Sequence, residues 1–115
     1  MPQQGLEKRQ DERFPSDLRL RCRGEAEVIE MEAVNLSVGG AYCSTRHRLE
    51  PMTRLQVQLD LPGASPRSTP ITATAVVVRI EERPTGLPYR LALWFQEISR
   101  RDRALLRRHL GIDGH

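Results

Sequence analysis

Apolar and polar residues alternate along most of this chain. From Leu18, the set Leu18, Leu20 and Cys22 alternates with Arg19, Arg21 and Arg23, the period of two expected of a half-buried strand. Gly24-Glu25 predicts a hairpin turn into a second strand, Ala26 to Val34. Its register is mixed, because Ile29, Met31 and Ala33 face one way while Val28 and Val34 fall with the polar Glu30 and Glu32; a bulge or a two-sided strand explains that. Ala41 to Thr45 is short and β-like, and Arg46 to Pro51 is a polar connection. Leu55, Val57 and Leu59 then alternate with Arg54, Gln56 and Gln58. Pro62 to Pro70 carries Pro, Gly and Ser without a period and predicts a loop. The β-branched run Val76-Val77-Val78 marks Ile71 to Ile80 as a strand. Pro84, Gly86 and Pro88 force a turn before the last strand, Tyr89 to Phe95.

The period then changes. Ser99 followed by Asp102 resembles a capping box with Asp in place of Glu, with Ile98 placed to staple against Arg103 or its neighbours. Ala104, Leu105, Leu106 and Leu110 form a narrow apolar stripe, and Gly111 is a natural stop. About six short strands and one terminal helix predict a mainly β fold: a small six-stranded antiparallel β-barrel with a C-terminal α-helix packed on it or across its mouth. Residues 1–12 have no hydrophobic period and are expected to be a flexible N-terminal arm; the domain is placed at 13–111.

Composition limits what such a barrel can be. With 115 residues, 38% apolar and 29% charged, the chain supports one modest core. No apolar run approaches the roughly 20 residues of a membrane span, and Met1 to Arg13 is polar where a signal peptide is hydrophobic, so a cytoplasmic protein is expected. Cys22 and Cys43 lack the number and spacing of a zinc site and are expected as buried thiols. His47, His109 and His115 stand apart from catalytic partners, and the acidic residues are not paired as acid and base. Gly39-Gly40 lacks the Gly-Lys-Ser/Thr ending of a phosphate loop. The expectation is therefore a protein that is not an enzyme and holds no metal or cofactor.

Two short segments carry binding chemistry. Of 18 basic residues only Lys8 is lysine, and arginine's planar fork suits phosphate and the N7/O6 edge of guanine. The arginines are scattered rather than gathered on one face, and the basic terminal helix is consistent with a solvated surface. Asn35-Leu36-Ser37-Val38-Gly39-Gly40 is a polar corner between the second and third predicted strands, with amide and hydroxyl groups and little bulk. Such a corner either binds a ligand or simply makes local turn bonds.

The order of these segments resembles that of the PilZ domain family. Glu7 to Phe14, with Arg9 and Arg13, is similar to the family's Arg-x-x-x-Arg arm. Asn35 to Gly40 is similar to its Asp/Asn-x-Ser-x-x-Gly motif. The spacing of Arg9 and Arg13 recurs at Arg19/Arg23, Arg79/Arg83 and Arg103/Arg107, so the position of the arm before the first strand carries the likeness. The resemblance runs from about Glu7 to Leu110 and takes in Leu49 to Leu61 as a following strand, Ala75 to Arg79, Leu91 to Phe95 and the helix Asp102 to Leu110.

What the resemblance implies is a bacterial receptor that binds cyclic di-GMP (c-di-GMP), a second messenger, and passes the event to a protein partner or domain. It implies that Arg9 and Arg13 grip guanine and phosphate from the arm, that Asn35 and Ser37 bond a guanine edge from the barrel, and that Gly40 leaves room for the base. Lys8 stands where many members have another Arg; it keeps the charge for phosphate but lacks the stacking plane. Arg79 is a further stacking candidate, beside Trp94, which alternates with Phe95. Two other classes are an interaction module of the same fold that binds protein and no nucleotide, and a barrel for single-stranded nucleic acid. The 4% aromatic content provides little stacking surface for the last.

Overall fold

The computed structural model describes residues 12–61 and 70–112. Among the described residues seven strands precede one helix: β1 (Phe14–Pro15), β2 (Arg19–Arg23), β3 (Val28–Leu36), β4 (Gly40–Thr45), β5 (Arg54–Leu59), β6 (Ile71–Glu82), β7 (Tyr89–Ile98) and α1 (Arg100–Leu110). All pairings are antiparallel, in the order β1-β3-β2-β5-β6-β7-β4, and β4 returns to pair with β3. That last pairing closes a six-stranded barrel, and closure removes the exposed sheet edges. The expected arm, apart from Glu12, and most of the expected Pro62–Pro70 loop lie outside the described residues.

The extra strand β1 is a continuation of β2. Phe14 faces Leu36 and Pro15 faces Asn35, while Arg19 to Arg23 face Glu32 to Val28 on the same side of β3. Between them the Ser16 amide donates to the Val34 carbonyl and the Ala33 amide to the Leu18 carbonyl, a one-residue slip that interrupts the strand at Asp17. The Leu18 amide also turns inward to the Ser16 hydroxyl oxygen at 3.1 Å. Of the two alternatives for the mixed register of the second strand, the bulge applies at Val34, where the β3–β4 ladder shifts between Ala33 and Asn35, whereas Val28 is an exposed residue at the start of the strand. The shift brings Asn35 onto the outer wall while Ala33 stays inside. The strand expected over Leu49 to Leu61 is shorter, because the Thr53 amide and hydroxyl both bond the Glu50 carbonyl in a turn before β5 begins.

The interior is the sum of the alternations. Leu20, Cys22, Ile29, Met31, Leu55, Val57, Leu59, Ile71, Val77, Leu91, Leu93 and Phe95 are all buried, each contributing about 1.5–3 kcal/mol for a side chain of Leu size. Helix α1 adds Leu106 to this core, with Leu105 and Leu110 packed half-buried against it, whereas Ala104 faces solvent. The Ser99 hydroxyl accepts from the Asp102 amide at 3.0 Å, as the capping pattern predicts. The Asp102 carboxylate instead accepts from the Thr72 amide of β6 at 3.1 Å and from Arg101 at 2.8 Å, which ties the helix to the barrel. Gly111 ends the helix at φ 76°, a left-handed conformation that favours glycine.

Candidate ligand-binding face

The corner is built by the ends of β3 and β4. Asn35 and Leu36 still belong to β3, so Leu36 points into the core and Asn35, its neighbour, projects outward. The Ser37 amide and hydroxyl both donate to the Gly40 carbonyl, at 2.8 and 3.2 Å, and the Phe95 amide donates to the Gly39 carbonyl at 2.8 Å. Ser37 is buried, and its hydroxyl holds the turn from within. At Gly40 a Cβ would lie 2.0 Å from the Leu93 carbonyl oxygen. The space that its missing side chain leaves is therefore filled by the backbone of β7.

Arg13 meets this corner. It precedes β1, and the Phe14–Leu36 and Pro15–Asn35 register carries it to the level of the Ser37 turn. Its Nη1 donates to Asn35 Oδ1 at 3.0 Å. Among the described residues no carboxylate pairs with Arg13, including its neighbour Glu12, and Arg13 itself is exposed. Of the sequence-derived candidates, the structure thus joins Arg13 to Asn35 and places Ser37 and Gly40 directly behind them. Lys8 and Arg9 lie outside the described residues.

Register extends the site across the outer wall. Asn35 pairs with Tyr42, Tyr42 with Ala92, and Ala92 with Arg79, one row running over β3, β4, β7 and β6. Arg79 is therefore on the same face as Asn35 but three strands away. A second row joins Gly40, Trp94 and Val76. Trp94 is 50% exposed while Phe95 is buried, which places the indole outside, next to the corner. Along a third row Ser44 pairs with Arg90 and Arg90 with Glu81. Tyr42, Glu81 and Arg90 are members of this face that sequence reasoning passed over. Only the alternation of Tyr42 with the buried Cys43 hinted that the phenol points outward.

A depression of about 410 Å³ adjoins the third row, lined by Arg19, Glu32, Ser44, Arg46, His47 and Leu87 among others. Its lining mixes both signs of charge and contains neither Arg13 nor Asn35. The Arg13 fork and the Asn35 amide lie outside this depression, at the corner. Among the described residues no group of three or more His, Cys, Asp or Glu is gathered to hold a metal ion. No described helix is long and apolar enough to cross a membrane.

Comparison with known proteins gives one consistent result. The model of the PilZ domain family matches residues 7–111. Among solved structures, the chain is similar to the Bacillus subtilis inhibitor of motility MotI/DgrA, with 24% identity and a TM-score of 0.71 over 86% of this chain and 50% of that one. It is similar to the PilZ domain of Escherichia coli YcgR, solved with c-di-GMP, with 18% identity and a TM-score of 0.65 over 88% of each chain. A longer YcgR structure in complex with c-di-GMP gives 19% identity and a TM-score of 0.68, over 86% of this chain and 42% of that one. The chain thus spans about half the length of the MotI chain that it matches. Among curated proteins, none matches its sequence significantly.

Proposed function

The chain belongs to the PilZ domain family, and from that membership and the geometry of its outer face we propose that it is a receptor for c-di-GMP, a regulatory module rather than an enzyme. The observation that carries this reading is the hydrogen bond from Arg13 to Asn35, which brings the arm motif and the corner motif to one place. That YcgR was solved with c-di-GMP on the same fold supports it.

In this reading Arg13 presents its remaining donors to a phosphate or to the N7/O6 edge of guanine, and Asn35 offers its amide to a guanine edge beside it. Ser37 and Gly40 fix the corner that presents Asn35. Arg9 and Lys8 approach from the arm, Trp94 stands beside the corner, and Arg79 bounds the face on its far side. Each charge-assisted bond contributes about 1.5–3 kcal/mol net, and a micromolar complex needs about 8 kcal/mol after ordering costs. A few such bonds reach that range. The arm takes a fixed position over the ligand, and the surface so formed is what a protein partner reads.

Amide hydrogen exchange tests this reading. Addition of c-di-GMP is expected to protect residues 7–14 and the corner 35–40. Unchanged exchange in both segments at saturating nucleotide contradicts it, and protection of the corner alone removes the arm from the mechanism.

A further inference from the structure

Beside the corner, the outer face of β4, β6 and β7 holds an interlocked group that neither motif contains. Tyr42 Oη donates to Glu81 Oε1. The second carboxylate oxygen, Glu81 Oε2, lies 3.2 Å from Arg79 Nε. The Arg90 guanidinium stands 5.6 Å from the centre of the Tyr42 ring, and Arg90 is the register partner of Glu81. Two guanidinium forks and a phenol are donors suited to phosphate and to the acceptor edge of guanine. Glu81, set among them, is an acceptor-only anion.

The group lies within reach of a ligand seated at the corner. Tyr42 is the direct cross-strand neighbour of Asn35, and Arg79 ends the same row. Three strand spacings of about 4.8 Å separate Asn35 from Arg79 along the curved barrel wall, and Tyr42, one spacing from Asn35 and bonded to Glu81, links the two ends. A ligand with two phosphates and two guanines that starts at Arg13 and Asn35 and extends over Tyr42 meets the Glu81 group, where Arg79 is already engaged.

We propose that Glu81 is a resident counter-anion of the ligand face: it holds Arg79 and Tyr42, and a phosphate of the ligand must displace its carboxylate to engage Arg79. This inference rests on the c-di-GMP reading and adds to it a residue that sets affinity. Glu81 competes with phosphate for the same donors and repels it by like charge. Its surroundings keep it charged at neutral pH: the Tyr42 hydrogen bond, opposed by partial desolvation and reinforced by Arg79, Arg83 and Arg90, holds the carboxyl below its ordinary value. The Arg79 and Glu81 side chains are 63% and 36% exposed. Pairs exposed to that degree are weak, so an incoming dianion can break this one.

The test is a set of c-di-GMP titrations with the wild-type chain, Glu81→Gln, Arg79→Ala and the double variant. Glutamine keeps the size and an oxygen acceptor for Tyr42 but removes the charge. Glu81→Gln is expected to bind c-di-GMP about twofold to fivefold more tightly than wild type, and the gain is expected to be clearly smaller in the Arg79→Ala background, where only the relief of like-charge repulsion is left. Equal or weaker binding by Glu81→Gln, or a gain that is undiminished without Arg79, overturns the proposal. Should the wild-type chain give no binding, the receptor reading fails for that chain while Glu81→Gln still decides this one: saturable binding by the variant supports it and none overturns it.

Discussion

Arg13 Nη1 and Asn35 Oδ1 are 3.0 Å apart although 22 positions separate the residues in the chain. The bond is exposed and contributes little to folding, so its removal should be felt at the ligand. Asn35→Ala is expected to leave the melting temperature nearly unchanged, with a stability change of no more than about 0.5 kcal/mol. The same variant is expected to weaken c-di-GMP binding about tenfold or more, the effect of losing one or two charge-assisted contacts. Thermal unfolding and calorimetry on one preparation check both halves.

Gly40 has the opposite profile. A Cβ there would stand 2.0 Å from the Leu93 carbonyl oxygen, a backbone atom that cannot swing aside. Gly40→Ala is expected to lose about 3 kcal/mol or more of stability, or to fail to fold. Gly24→Ala is the control, since the nearest atom to its added Cβ is the Leu55 side chain at 3.7 Å. That change is expected to stay within about 1 kcal/mol by urea denaturation.

Helix α1 depends on two side chains at its start. Ser99→Ala removes the cap on the Asp102 amide and is expected to cost about 1 kcal/mol. Asp102→Ala leaves the Thr72 amide without its acceptor and is expected to cost about 1–3 kcal/mol, while Asp102→Asn, which keeps an oxygen, costs less. Equal losses for Ala and Asn at position 102, measured by chemical denaturation, would count against the tie to β6.

The two thiols make a pH prediction. Burial pushes Cys22 up to about 12 from 9.0 and pushes Cys43 up as well, the latter with a further rise from Cys22 and a smaller opposing pull from Arg13. Their folded values exceed the unfolded ones, so this contribution is complete below the unfolded value of 9.0 and is lost as pH rises above it toward the folded values. Each thiol is expected to lower stability by at most about 1.4 kcal/mol per pH unit in that window. Denaturation between about pH 8 and about pH 10, compared with Cys22→Ala, should show a smaller slope in the variant.

Much of this fold is written in local patterns. The alternation through Leu20, Cys22, Val57 and Leu59, the Val76–Val78 run and the Ser99/Gly111 caps each report a strand or helix through neighbouring residues, and the six barrel strands and α1 follow. The bulge beside Val34 was legible for the same reason, because a slipped register puts apolar residues on both faces. Strand β1 was not, since Phe14 and Pro15 are too few to show a period.

The candidate site divides in the same way. Arg13 and Asn35 could be named because each belongs to a short motif, although their contact depends on β1 pairing with β3. Tyr42 and Glu81 are 39 positions apart and meet only through the β4–β7–β6 register, which no local spacing encodes. Ser37 and Gly40 stand in the motif and would be assigned to the ligand on that ground. Their packing shows that they also build the corner itself, through the Ser37–Gly40 bonds and the Leu93 contact.

The central claim is that Arg13 and Asn35 form half of a c-di-GMP clamp. Calorimetric titration of the wild-type chain with c-di-GMP, at a defined protein concentration and beside Arg13→Ala, measures it most directly and gives the stoichiometry in the same experiment. The account predicts saturable binding by the wild-type chain and a loss of at least about tenfold in affinity for Arg13→Ala. An absence of heat up to high micromolar nucleotide, or equal affinity in the two proteins, would contradict it.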